Sequence, residues 1–429
     1  MASTVQITKG REQLIATLNH KEPDRIPIDL GGTSVSGIHA SCVAALRDYY
    51  GLEKRLVRIC ETGQMLGEMD EDLKDAMCVD IAGIFPRRTK WGISAERWKP
   101  WLLNGLEVLV PGDFNTTVDV NGDTLIHPEG DTTAPASGRM SKGGYYFDYI
   151  VRQEPLDEQN LNPEDNVEEF RSISEADLGY LASSAVETAA TGRGVIASFG
   201  GMGFGDVALV PGPALKHPKG IRDVTEWYVS TKSRQSYIHK VFERQCEIAL
   251  GNLERIYAAV GPQVQAVHIC GTDFGTQTSA FCSVKTLREL YFPYYKQIND
   301  WIHSHTPWKT FKHSCGAVSK FIPTFIEAGF DIFNPVQCSA TGMEPEQLKA
   351  NYGDQIVFWG GGVDTQQVLP FGTPAEVREQ VLRRCEVFAP GGGFVFNPIH
   401  NVQAETPVEN IVAMVNAIHE FNKKPPGRR

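Results

Sequence analysis

Ala266-Val267-His268-Ile269-Cys270-Gly271-Thr272-Asp273, a helical stretch over 284–303, and then Phe311-Lys312-His313-Ser314-Cys315-Gly316 decide the fold. Each short apolar run ends in glycine and polar residues, and an amphipathic helix carries the chain between them. That is the pattern of a parallel βαβ unit. Working outward, comparable runs occur at 25–32, 79–85, 195–200, 331–337, 357–362 and 394–398, with further helical patterns at 318–328, 374–388 and 407–421. About eight such units close a TIM barrel, so the expected fold is α/β, a (β/α)8 barrel. One region breaks the rhythm. Residues 90–149 show alternation and turn chemistry (Asn104-Gly105, Asn121-Gly122-Asp123) in place of helical periodicity, which predicts an inserted antiparallel β subdomain. The barrel is then assigned to 1–89 and 150–429, with a surface connection over 154–166 and a frayed tail over 423–429.

The rest of the composition narrows the function. The 429 residues carry a net charge of −11 with dispersed basic residues, so no nucleic-acid partner is expected. Hydrophobic residues at 41% and charged residues at 22% are globular values and exclude a disordered or fibrous chain. No apolar run approaches the ~20 residues of a membrane span. Residues 1–10 lack the apolar core of a secretory signal, and nine cysteines then read as reduced thiols of a cytoplasmic protein, some of them metal ligands.

Chemistry in such barrels sits where the strands end. Those places hold His39; His268, Cys270 and Asp273; His313 and Cys315; Asn334, Gln337 and Cys338; Asp364; and His400. On a regular strand residues two apart share a face, so His313 and Cys315 converge as an imidazole and a thiolate, a ligand pair that suits zinc. The competing reading is a hydrogen-bonded core histidine beside an inert thiol. A catalytic zinc needs a third ligand, for which His400, Cys338, Asp273 and His39 are candidates by position. His268 and Cys270 repeat the spacing but should lie roughly 10–16 Å deeper and pack. Asp273 can position a substrate, move a proton or ligate metal, or else cap a turn; Asp364-Thr365-Gln366 reads more readily as a turn and cap. The glycine-rich stretches 200–205 and 391–393 lack the pattern of a phosphate-binding loop and instead let backbone approach backbone or a large flat ligand.

Taken in order, 271–277 (Gly-Thr-Asp-Phe-Gly-Thr-Gln), His313-Ser314-Cys315-Gly316, Asn334-Pro335-Val336-Gln337, 361–366 (Gly-Gly-Val-Asp-Thr-Gln) and Pro398-Ile399-His400 resemble the uroporphyrinogen decarboxylase superfamily. The opening 25–33 looks like its methyltransferase-like branch. True decarboxylases carry an arginine-rich segment after the first strand. Here Leu30-Gly31-Gly32-Thr33-Ser34-Val35-Ser36-Gly37 has no arginine, and substrate carboxylates would be left unpaired. The resemblance therefore implies a methyltransferase that moves a methyl group between a small donor or acceptor, such as a methoxylated aromatic, and a corrinoid carried by a partner protein. The alternatives are a decarboxylase-like lyase and a non-catalytic corrinoid- or tetrapyrrole-binding protein. The branch often binds zinc through His-x-Cys plus a later cysteine. At that place this chain has Pro390-Gly391-Gly392-Gly393, and His400 is the substitute. The implied metal ligands are His313, Cys315 and His400. Asp273 and His39 would position the substrate or protonate the leaving group, and Asn334, Gln337 and Asp364 would contact substrate. A homodimer is compatible with this reading.

Overall fold

The computed structural model describes residues 10–200, 203 and 205–424. Residues 1–9, where no secretory signal is expected, part of the glycine-rich 200–205 stretch and most of the expected tail lie outside the described residues. Seven parallel strands form one curled sheet: β1 (Ile81–Ile84), β2 (Gly194–Ala197), β3 (Ala266–Cys270), β4 (Lys309–His313), β5 (Ile332–Asn334), β6 (Val357–Trp359) and β7 (Phe394–Val395). They are buried on both faces, which is why they read as unbroken apolar runs. The eighth run spans the gap between the sheet's edges. Ile28 bridges Phe396 in parallel, and its carbonyl accepts the Asp80 N–H at 2.8 Å. The result is a TIM-barrel-like fold.

The interior of the barrel is a compact apolar plug of Ile81, Ile196, Ala266, Phe311, Ile332, Val357, Trp359 and Val395. Helix α1 (Gly10–Leu18) drives Leu14 and Leu18 into the same cluster and packs on β1, β2 and β7, closing the end where the strands begin. Gly194 has to be small here, because a Cβ would meet the Leu14 side chain at 2.5 Å. With that end stoppered, the polar residues at the opposite end are the available mouth.

The helices differ from expectation at one point. The predicted 284–303 helix is two, Val284–Leu290 and Phe292–His305, broken at Tyr291 with Pro293 in the first turn of the second. Proline lacks the N–H that a continuous helix would use there. The helices Pro374–Phe388 and Val408–Asn422 lie where the periodicity put them.

Antiparallel strands fill the 90–149 stretch in two groups. Thr116–Val118, Thr124–Ile126, Gly138–Met140 and Asp148–Tyr149 make a four-stranded sheet. The hairpin Lys99–Leu103 and Leu106–Val110 turns at Asn104-Gly105, both with positive φ, as a two-residue hairpin loop requires. It extends a second sheet through Val57–Glu61, Leu66–Gly67 and Ile38–His39. Contacts tie this β layer to loops at the barrel mouth: Phe147 donates its N–H to the Gly63 carbonyl, and the Tyr145 hydroxyl donates to Glu405 at 3.1 Å. Among the described residues no helix is long and apolar enough to cross a membrane.

Candidate metal centre at the barrel mouth

β4 ends at His313, and a tight turn brings Cys315 back over it. The Cys315 Sγ lies 3.4 Å from His313 Nε2. From the loop after β7, His400 sets its ring edge-on to His313 with centroids 5.5 Å apart. Donor atoms of His313, Cys315 and His400 all lie within 4.8 Å of one another, the only such trio of metal-type ligands among the described residues. A tetrahedral zinc with bonds of about 2.0–2.3 Å separates its ligand atoms by roughly 3.3–3.8 Å, so the trio needs little movement to close on an ion.

The surroundings hold these ligands from behind. Asn334 Oδ1 sits 2.6 Å from His313 Nδ1, and Asn334 Nδ2 donates to the Trp359 carbonyl at 2.8 Å. Nδ1 therefore carries the ring proton, and the Nε2 lone pair faces the Cys315 thiol and the mouth, the tautomer of histidines that bind metal through Nε2. Asp273 Oδ1 accepts the Cys315 N–H at 2.7 Å and stands 3.6 Å from His313 Nε2. Gln337 Oε1 accepts the next amide, Gly316, at 2.7 Å. No protein hydrogen bond reaches the His400 ring among the described residues.

Electrostatics favours neutral imidazoles. Burial lowers His313 to about 3, against the opposing pull of the Asn334 bond, and burial next to His313 lowers His400 to about 4. Both are neutral near pH 7, with one ring nitrogen unprotonated, as metal binding requires. The Cys315 thiol is pushed well above its ordinary value by burial and then by the neighbouring Asp273. A bound cation would reverse that shift, because it stabilises the thiolate directly. The donor set fits zinc.

The other predicted residues divide. Asp273, Asn334 and Gln337 surround the trio. Cys338 lies against Gly361, apart from it. Asp364 accepts the N–H groups of Gln366 and Gln367, so it caps the turn entering Val368–Phe371. His39 caps the helix Ala40–Tyr49 through Ser41, and its Nε2 meets the Tyr145 carbonyl at 3.2 Å; burial lowers it to about 4. No contact joins it to the trio among the described residues. Cys270 turns outward to Thr272 Oγ1 (3.1 Å) and Tyr295 OH (3.4 Å), whereas His268 stays inside against Phe311 with Nε2 unpartnered.

Sequence reasoning missed two residues. Asp206 accepts the Gly271 and Ala208 amides, at 2.9 and 3.0 Å, just behind Asp273. Its signal was an acid closing a strand-end glycine run, which read as backbone packing alone. Lys312 is fully buried beside the trio; a lysine inside an apolar strand was the clue.

Comparison with known proteins agrees with the motifs. The profile of the family described as "Uroporphyrinogen decarboxylase (URO-D)" matches residues 219–421, which contain the whole trio. The uroporphyrinogen decarboxylase of Pseudoalteromonas translucida is 32% identical over 91 residues, 20% of this chain and 25% of that protein. The one from Actinobacillus succinogenes is 30% identical over 90 residues, with similar coverage. The matched stretch thus spans about a quarter of the length of these curated relatives. In overall shape the chain is similar to a methyltransferase from Methanosarcina mazei, with a TM-score of 0.55 and 12% identity over 96% of this chain and 99% of that one. The likeness to that family is one of sequence over residues 219–421, and the full-length likeness is one of fold.

Proposed function

We propose that this protein is a methyltransferase that moves a methyl group between a small methylated substrate, such as a methoxylated aromatic, and a corrinoid carried by a partner protein in the cytoplasm. The observation that carries the reading is the convergence of His313, Cys315 and His400 on one point at the open end of the barrel. Zinc held there by these three residues would act as a Lewis acid on the heteroatom bearing the methyl group, easing its departure.

The chain's own groups do the remaining work. Asn334 fixes the His313 tautomer, and Asp273 and Gln337 hold the Cys315-Gly316 turn, so the ligands are preorganised before substrate arrives. Asp273 uses one oxygen on the Cys315 amide and keeps the other for a substrate proton or hydroxyl. His39 has both ring nitrogens engaged, so proton handling falls to Asp273. The Leu30–Gly37 segment brings no cation to the mouth, which disfavours a substrate with several carboxylates.

The test mixes the zinc-loaded protein, a corrinoid protein reduced to cob(I)alamin and a panel of methoxylated aromatics. Substrate-dependent loss of the cob(I)alamin absorbance is expected. No loss across a broad donor panel, with zinc bound, would reject the reading and leave the binding-protein alternative, which predicts stoichiometric corrinoid capture without turnover.

A further inference from the structure

Lys312 is the residue before the first proposed zinc ligand, and it is 0% exposed. Because Phe311 and His313 point into the barrel, Lys312 points out, into the layer between sheet and helices. No carboxylate lies within ion-pair distance of it among the described residues. Burying an unpaired charge is costly, so something specific must receive it. Three aromatic faces do so: Phe274, Tyr295 and Phe325, at 5.3, 5.6 and 5.7 Å. Three carbonyls complete the cage. Nζ donates to Thr272 at 3.0 Å, to Cys270 at 3.5 Å and to the carbonyl of His313 itself.

Those carbonyls belong to two different segments. Cys270 and Thr272 lead out of β3 into the Asp273 loop, beyond a bulge that shifts the pairing with β4 so that Cys270 lies opposite Lys312. His313 closes β4. Beyond the lysine the two loops run together: Asp273 accepts the Cys315 amide, the Phe274 amide donates to Ser314 Oγ at 3.0 Å, and a Cβ on Gly316 would strike the Gly275 carbonyl carbon at 2.3 Å. We propose that Lys312 is a positioning residue, whose buried ammonium staples the Asp273 loop to the end of β4 and so sets the geometry of the His313–Cys315–His400 trio. The inference deepens the zinc reading and rests on it for its purpose, but one arm of its test does not.

In the full chain, Lys312→Met keeps the length and the apolar packing and removes the donor. Two readouts are taken. The first is Co2+ affinity together with the cobalt–thiolate absorption. The second is the rate at which iodoacetamide alkylates Cys315 in metal-free protein, with buried Cys385 as an internal control. Positioning predicts a ten- to hundredfold weaker Co2+ affinity, an altered spectrum and a Cys315 rate raised at least tenfold while Cys385 is unchanged. Wild-type affinity and wild-type alkylation in a folded variant would overturn it, and so would a parallel rise at Cys385, which reports general loosening. If neither wild type nor variant binds Co2+ but the Cys315 rate still rises selectively, the zinc reading fails and the positioning role stands. Should Lys312→Met not fold, Lys312→Gln is measured in the same way. Failure of both to fold overturns the proposal, because the lysine would then hold the fold and not the site.

Discussion

Two neighbouring strands carry the same three-residue spelling, His268-Ile269-Cys270 and His313-Ser314-Cys315, and fold it in opposite ways. Along β3 the pairing with β4 runs His268 to Phe311 and then Cys270 to Lys312, so Ile269 is an extra residue. That bulge inverts the alternation of side chains: His268 stays inside the barrel while Cys270 turns out to Tyr295. β4 has no bulge, and the turn after it folds Cys315 back to within 3.4 Å of His313. Spacing by two places residues on one face only while the backbone keeps its pleat. Ligand competence therefore belongs to the strand and its exit turn together, not to the motif.

Breaking one motif at a time tests that contrast most severely. Cys315→Ala should lower zinc affinity by roughly a thousandfold, since it removes one of three ligands. Cys270→Ala should leave zinc content unchanged. Elemental analysis of protein purified without chelator, followed by Co2+ titration, reads both; metal loss in Cys270→Ala would erase the distinction.

The two histidines sharpen the contrast through pH. Burial lowers His268 to about 4 and His313 to about 3, from 6.5 in the unfolded chain. Between those values the unfolded state binds the extra protons. Stability of the metal-free protein should thus be highest above pH 6.5 and fall as pH drops towards 4, with His268 alone contributing up to roughly 3 kcal/mol of that loss. Urea melts of wild type and His268→Asn across pH 4–7 measure it; the variant's curve should be flatter.

A smaller effect is expected behind His313. Asn334→Leu leaves the ligands in place but frees the ring, and zinc affinity should fall about 10- to 100-fold. Unchanged affinity would show that the turn alone orients the imidazole. The smallest change is in the outward thiol: Cys270→Ala should cost about 1 kcal/mol in urea unfolding, the price of a buried sulfur's packing and weak hydrogen bonds.

Much of the fold was legible because parallel strands covered on both sides leave continuous apolar runs, each followed by the residues that line the mouth. His313, Cys315, Asp273 and Asn334 could be read for that reason. The choice of His400 over Cys338 or His39 rests on the family resemblance and not on spacing, since it depends on how far each loop leans across the barrel. The His39 cap illustrates the difficulty: a strand-end histidine has the same local appearance whether it faces a pocket or closes a helix. The bulge at Ile269 was equally invisible, because nothing in Val267-His268-Ile269-Cys270 distinguishes it from a regular strand.

Leu14 and Leu18, wedged among the innermost side chains, give the barrel one doorway. Anything that reaches His313, Cys315 and His400 must enter and leave at the end of the barrel where the strands finish. Two reactants of different size would therefore have to share that single opening, the smaller seated at the trio beneath the larger.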